Sequence, residues 1–343
     1  MSLSSHIRRA IGFAIAAALT LAASAAFAST QLTGAGSTFD YPFFSKAFYE
    51  YSQQHSEVTV NYQSIGSGGG IQQFVAKTVD FGASDVPMNA EELKLANAPV
   101  LQVPVTLGGA AMGYNLPGIA KGLRLTRQLI ADIFLGKITK WNAPEIAKLN
   151  PGLKLPEMAI TVIHRSDGSG TTYIFTDFLS SVSPEWKKKV GTGKSVQWPV
   201  GLGGKGNEGV AGQVRQTPGG IGYIELAYVL ENDMTYAQVE NKAGKYVYPS
   251  IQTVAAAAAT KPEVSSTDFS IVDAAGKNSY PISGYSWVML YQEPSDAARA
   301  KLVKGTLEWL VTKGQSVAQS VDYVPLPENV QQQALKIISQ MKG

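Results

Sequence analysis

Apolar and polar positions fall into alternating blocks along this chain. Val58–Tyr62 is a β-rich apolar run, and Ile71–Lys77 after it has helical character; Ala159–His164 and Thr172–Leu179 repeat the succession. Strand-like runs alternating with helix-like ones predict α/β units built around sheets. No internal repeat of fixed period appears, and the short runs Ala255–Ala259 and Gln331–Gln333 lie in helix-compatible surroundings.

Three junctions in this pattern share one local grammar. Leu32-Thr33-Gly34-Ala35-Gly36-Ser37-Thr38 leads into Phe39–Tyr51, whose apolar residues recur at helical spacing. Ile65-Gly66-Ser67-Gly68-Gly69-Gly70 leads into Ile71–Lys77, and Asp167-Gly168-Ser169-Gly170-Thr171 leads into Thr172–Leu179. Each sets Gly and Ser or Thr where a strand ends and a helix begins. The first turn of a helix leaves backbone N–H groups unpaired and carries partial positive charge. Glycine lets the backbone approach a ligand, and hydroxyls add donors, so such a junction can hold an anion. N-capping alone would account for any one of them. Three together, one beside an arginine, favour an anion.

The first residues bear on compartment. Arg8 and Arg9 precede an uncharged apolar run, Ile11–Ala28, that ends in Ala26-Phe27-Ala28. This is the layout of a secretory signal cleaved after Ala28, and it reads better so than as a membrane anchor. The arginine pair also raises a twin-arginine route, which the following residues fit poorly. Nothing later in the chain reads as a membrane span. The expectation is an exported protein, soluble after cleavage.

Composition narrows the chemistry. There is no cysteine, which removes disulfides, thiolate metal sites and a lipidated N-terminal cysteine together. The formal net charge is only +3, with Arg8 and Arg9 of the leader contributing two of those charges. That balance does not suggest a nucleic-acid binder. Lys187-Lys188-Lys189, the densest basic run, follows the plausible helix start Ser183-Pro184-Glu185-Trp186 and reads as a solvated helix face.

Enzymatic motifs fail on inspection. Gly191-Thr192-Gly193-Lys194-Ser195 ends like a P-loop, but Lys188 holds the position of the required first glycine. Gly168-Ser169-Gly170 is not a nucleophile elbow, because Asp167 replaces the first glycine. Beyond the leader only His55 and His164 could serve as a base, and their spacing supports no zinc site. No catalytic residue, metal or cofactor is expected.

What remains is a binding constellation. Arg165 can give two-pronged, charge-assisted hydrogen bonds to oxyanion oxygens, or form an ion pair with Asp167, and both can hold at once. Asp85, at the end of Val79-Asp80-Phe81-Gly82-Ala83-Ser84-Asp85, makes sense beside an anion only if that anion carries a proton to donate.

These residues resemble the periplasmic substrate-binding proteins of high-affinity phosphate ABC transporters. The likeness runs along essentially the whole chain after the leader. Besides the segments above, it is carried by Asn61–Ser67, Leu135–Trp141, Gly201–Asn207, Gly220–Tyr223 and Tyr323–Pro327. The resemblance implies phosphate contacts from Thr38, Phe39, Ser67, Asp85, Arg165, Ser169, Gly170 and Thr171, with Asp167 tethering Arg165. Gly68 stands where relatives often have Ser, and Ser64 where they can have Gly. The implied fold is α/β: a two-lobed binding protein of type II with mixed sheets, flanking helices and a hinge the chain crosses twice. Lobe I would take residues 29–107 plus 282–343, and lobe II residues 108–281. The implied function is capture of inorganic phosphate, with arsenate tolerated, by a monomer that delivers it to a permease and ATPase complex. A receptor for another tetrahedral oxyanion, or a secreted phosphatase, is the alternative.

Overall fold

The computed structural model describes residues 29–342; the expected leader, residues 1–28, lies outside the described residues. Among the described residues twelve strands form two sheets. The large sheet contains β1 (Thr30–Gly36), β2 (Val58–Ser64), β3 (Phe81–Ser84), β4 (Val100–Tyr114), β6 (Thr161–Arg165), β7 (Leu202–Gly204), β8 (Gly220–Glu225), β9 (Thr235–Tyr236) and β12 (Ser283–Tyr291). The small one joins β5 (Arg124–Leu125), β10 (Gln238–Glu240) and β11 (Tyr246–Val247). In the large sheet the order is β2-β1-β3-β12-β4-β8-β6-β7, with β9 also on β4.

The long strand β4 organises the whole. Its first part pairs antiparallel with β12, which continues into β3 and the parallel β1 and β2; its last part pairs with β8, which continues into the parallel β6 and β7. Each half is therefore a small α/β layer, and β4 is common to both. Apart from Val100, every residue of β4 is buried, the near-continuous apolar run expected of a strand covered on both faces. Pro104, which cannot donate to the ladder, sits at an irregularity: Ser286 pairs with Thr106 but Trp287 pairs with Pro104, leaving Val105 out of register. This bulge lies immediately beside Ser286, which returns below.

Helical periodicity sets the packing. In the helix Tyr41–Gln54 the buried positions Phe43, Phe44, Ala47, Phe48 and Tyr51 form one stripe. Phe44 meets Tyr62 of β2 edge-on at 4.9 Å, and Phe48 meets Phe81 of β3 at 5.8 Å. The second half has its own aromatic core, in which Phe175 and Tyr223 stack at 4.4 Å. The helix Ser67–Val75 comes so close to the end of β1 that a β-carbon at Gly70 would stand 2.3 Å from the Cα of Gly36. Only glycine permits that approach.

Of the short runs singled out in the sequence, Gln331–Gln333 lies within the helix Glu328–Ile338, and Ala255–Ala259 ends the helix Ile251–Ala258 with Ala259 as its C-cap. Lys187, Lys188 and Lys189 are exposed on the last turn of Pro184–Lys189. Among the described residues no helix is long and apolar enough to cross a membrane.

Candidate anion-binding site

Four helices begin where the two halves face each other: Tyr41–Gln54 and Ser67–Val75 from one, Gly170–Val182 and Gly206–Gln216 from the other. The three junctions of the sequence pattern open the first three, and the glycine-rich Gly201–Asn207 stretch opens the fourth. First-turn N–H groups from both sides thus meet across one cleft.

The eight residues marked out in the sequence are all buried. The Ser67 hydroxyl accepts the N–H of Gly170 from across the cleft at 3.0 Å and the N–H of Asp85 at 3.3 Å. Thr38 Oγ1 accepts Asn207 Nδ2–H at 2.8 Å and its backbone N–H at 3.2 Å; Asn207 Nδ2 also reaches Thr171 Oγ1 at 3.2 Å. Two members turn their side chains elsewhere: the Ser169 hydroxyl caps its own helix at Thr172 N, and the Phe39 ring packs into the core while its N–H donates to Ser37 Oγ at 2.9 Å.

Arg165 ends β6 and is nearly inaccessible. Its Nε and Nη2 donate to the two carboxylate oxygens of Asp167 at 2.8 and 2.5 Å, and its Nη1 points to Thr171 Oγ1 at 3.4 Å. Asp167 is held in turn by the N–H of Gly206 at 3.1 Å. Burial pushes the Asp167 carboxyl up, but the pairing with Arg165 more than offsets this and leaves it below its ordinary value. One edge of the guanidinium is therefore fixed and the other faces the cleft. The strand and helix that carry Arg165 and Thr171 are pinned by Tyr223, whose hydroxyl takes the Arg165 N–H at 2.9 Å and bonds Thr172 Oγ1 at 2.7 Å.

Asp85 occupies the opposite wall. Its Oδ1 accepts the hydroxyl of Ser37, and that of Ser286 at 2.9 Å. Its Oδ2 lies against Gly170, where a β-carbon would stand 2.5 Å away. One oxygen is thus loaded with donors and the other is aimed at a helix N-terminus. Burial raises the carboxyl to about 6, despite the Ser37 and Ser286 hydroxyls, Arg165 and Thr171.

Sequence reasoning passed over several members of this network. Asn207 was within a recognised segment and shares the Gly-then-helix grammar, a signal that could have found it. Ser37 adjoins Thr38. Ser286 stands far along the chain with no local signature, and Asp40 and Glu225, both fully buried acids, were likewise missed. His164 is half-buried, stacked on Trp198 at 4.7 Å with Nδ1 3.0 Å from the Arg165 carbonyl. Lys194, of the loop that ends like a P-loop, instead forms an ion pair across the cleft with Glu92, and its carbonyl receives Ser169 N–H at 2.8 Å. Among the described residues no group of three or more His, Cys, Asp or Glu is arranged to hold a metal ion.

Two lobes sharing one strand, with helix N-termini and an arginine converging between them, define a two-lobed binding protein. A family model described as a PBP superfamily domain matches residues 21–313. Phosphate-binding protein PstS of Xylella fastidiosa is 47% identical over 308 residues, covering 89% of this chain and 84% of that protein. The protein of the same name from Pasteurella multocida is 48% identical over 314 residues, covering 91% and 90%. The chain belongs to the PstS family of phosphate-binding proteins. In fold it is similar to the solved phosphate-binding protein from Stenotrophomonas maltophilia, with a TM-score of 0.68 at 20% identity, over 90% of this chain and 94% of that one.

Proposed function

We propose that this chain captures inorganic phosphate between its lobes and delivers it to an ABC importer, through a permease and ATPase complex. The observation that carries the reading is the pairing of Arg165, fixed by Asp167, with an acceptor carboxylate, Asp85, across the same cleft. Arginine and helix N-termini alone would suit any oxyanion. A carboxylate among them suits one that brings a proton, as phosphate does near neutral pH and sulfate does not. Thr38, Phe39, Ser67, Asp85, Arg165, Ser169, Gly170 and Thr171 are the contacts in this reading. Arsenate, with the same shape and protonation, should be accepted.

Lobe I comprises residues 29–107 and 282–343, and lobe II residues 108–281. The N–H of Ala110 bonded to the carbonyl of Ile282 at 2.9 Å supports placing both crossings there. A single chain supplies every group of the site, so a monomer suffices. The protein acts in the periplasm after release from its leader at Ala28. It binds rather than catalyses: His164 is held by its stack on Trp198, the Ser67 and Ser169 hydroxyls accept backbone N–H groups, and the carboxylate that takes the Ser37 and Ser286 hydroxyls is the one assigned to the proton of the anion. Calorimetric titration with phosphate and with sulfate tests the reading. Tight phosphate binding with sulfate at least about 1,000-fold weaker is expected from a site that needs a donated proton; equal affinities would overturn it.

A further inference from the structure

Asp40 directly follows Phe39 and stands at the N-cap of the helix Tyr41–Gln54. An aspartate there ordinarily turns its carboxylate onto the first N–H groups of the helix. Asp40 makes no such bond. Its side chain is completely buried, and neither carboxyl oxygen has a hydrogen-bond partner. An ionised carboxylate in that position is among the costliest groups a protein can bury; a neutral carboxyl is far cheaper.

The groups around it favour the neutral form. Asp85 faces it from the end of β3, and Glu225 from the end of β8. Ser286, from β12, is within reach of both aspartates, but it has one proton and gives it to Asp85. Tyr62 of β2 and Tyr323, before the C-terminal helix, also face Asp40, and Tyr323 gives its proton to the Phe39 carbonyl. The cation of the site, Arg165, is bound to Asp167, and its charge falls on Asp85. Burial first, and the Asp85 charge second, raise the Asp40 carboxyl well above its ordinary value.

We propose that Asp40 is the neutral, proton-bearing partner of Asp85, and that the cleft takes phosphate only while Asp40 keeps its proton. This rests on the phosphate reading of the site and adds to it. Asp85 can be an acceptor only if it is ionised, and a second ionised carboxylate beside it would repel both Asp85 and the incoming anion. One proton held at Asp40 lets two carboxyl groups coexist at an anion site. Asp40 is thus a positioning residue that sets the alkaline limit of binding.

The test is phosphate affinity by calorimetry from about pH 6 to about pH 9.5 for the leader-free protein and for Asp40→Asn. Asparagine keeps the shape and a neutral donor but cannot ionise. Ionisation of phosphate itself is common to both proteins, so the difference between their profiles isolates Asp40. The unaltered protein should lose affinity about tenfold per pH unit faster than Asp40→Asn once Asp40 ionises, with the two nearly equal at the acid end. Superimposable profiles would overturn the inference and leave the phosphate reading intact; no phosphate binding by the unaltered protein at any pH would overturn both.

A second measurement does not depend on the variant folding. In protein labelled with carboxyl-¹³C aspartate, one aspartate should remain a neutral acid above about pH 7, after Asp85 has ionised. If every aspartate is ionised there, the inference fails.

Discussion

Gly170 opens its helix against Asp85 so closely that a β-carbon on it would stand 2.5 Å from both the Cβ and Oδ2 of Asp85, and 2.6 Å from its backbone nitrogen. The two residues belong to opposite lobes. Gly170→Ala should therefore block closure without disturbing either lobe's core. Calorimetry should show phosphate affinity reduced at least about 100-fold, or about 2.7 kcal/mol, while the melting temperature of the free protein stays near that of the parent. Solution scattering should show the variant less compact at saturating phosphate. A variant that binds and compacts like the parent would mean that the lobes do not have to meet at this contact.

Arg165→Ala removes the charge-assisted donors and also strands the Asp167 carboxylate that they satisfy. A loss on the order of 2–5 kcal/mol of binding free energy is expected. Arg165→Lys should recover only part of it, because an ammonium cannot hold Asp167 and an anion with two fixed edges. Titration calorimetry on both variants, with folding checked by circular dichroism, gives the comparison.

Asp85→Asn exchanges an acceptor for an amide that can donate. Sulfate, with acceptor oxygens only, should gain on phosphate, and the ratio of their affinities should shift toward sulfate by at least about tenfold. Paired titrations at one pH and ionic strength decide it; an unchanged ratio would assign selectivity elsewhere.

The Asp85 carboxyl, raised from 3.8 to about 6, also fixes an acid limit. If the proposed acceptor role holds, phosphate needs the ionised form, and affinity should fall about tenfold per unit as pH drops below about 6. Free-protein stability should run the other way. A carboxyl raised on folding is ionised sooner in the unfolded chain, so its contribution falls as pH rises through the 3.8 to 6 window. Asp85→Asn should flatten both profiles, which denaturant titrations and calorimetry over that range can test.

The parts of the site that the sequence made legible are those written locally. Glycine with serine or threonine at a strand-to-helix junction marks a helix N-terminus, and Arg165 with Asp167 two positions on is a pair that β6 and its loop bring together without help. The acids and hydroxyls that tune these groups come from far away. Ser286 lies 201 residues from Asp85, and it arrives because β12 pairs with both β3 and β4 beside the bulge at Val105. Tyr323, from near the C-terminus, reaches the Phe39 carbonyl and Glu225. Such partners depend on strand register, which no local pattern shows. Strand β4 was obscured for a different reason: Pro104, Gly108 and Gly109 look like breaks, whereas the proline sits at the bulge and Gly108 makes room for the Phe39 ring.

That common strand has a mechanical meaning. With β12 hydrogen-bonded along one part of β4 and β8 along the other, the lobes cannot slide past or separate from each other without breaking a ladder. They can turn only by twisting β4 where its pairing passes from β12 to β8, at Gly109–Ala110. The strand is a torsion bar with a lobe keyed to each end. Any turn that brings Ser67 to Gly170 must swing the outer faces of the lobes in opposite senses, so an event the size of one small anion is displayed on the outside of the molecule, where a partner gripping both lobes could sense it.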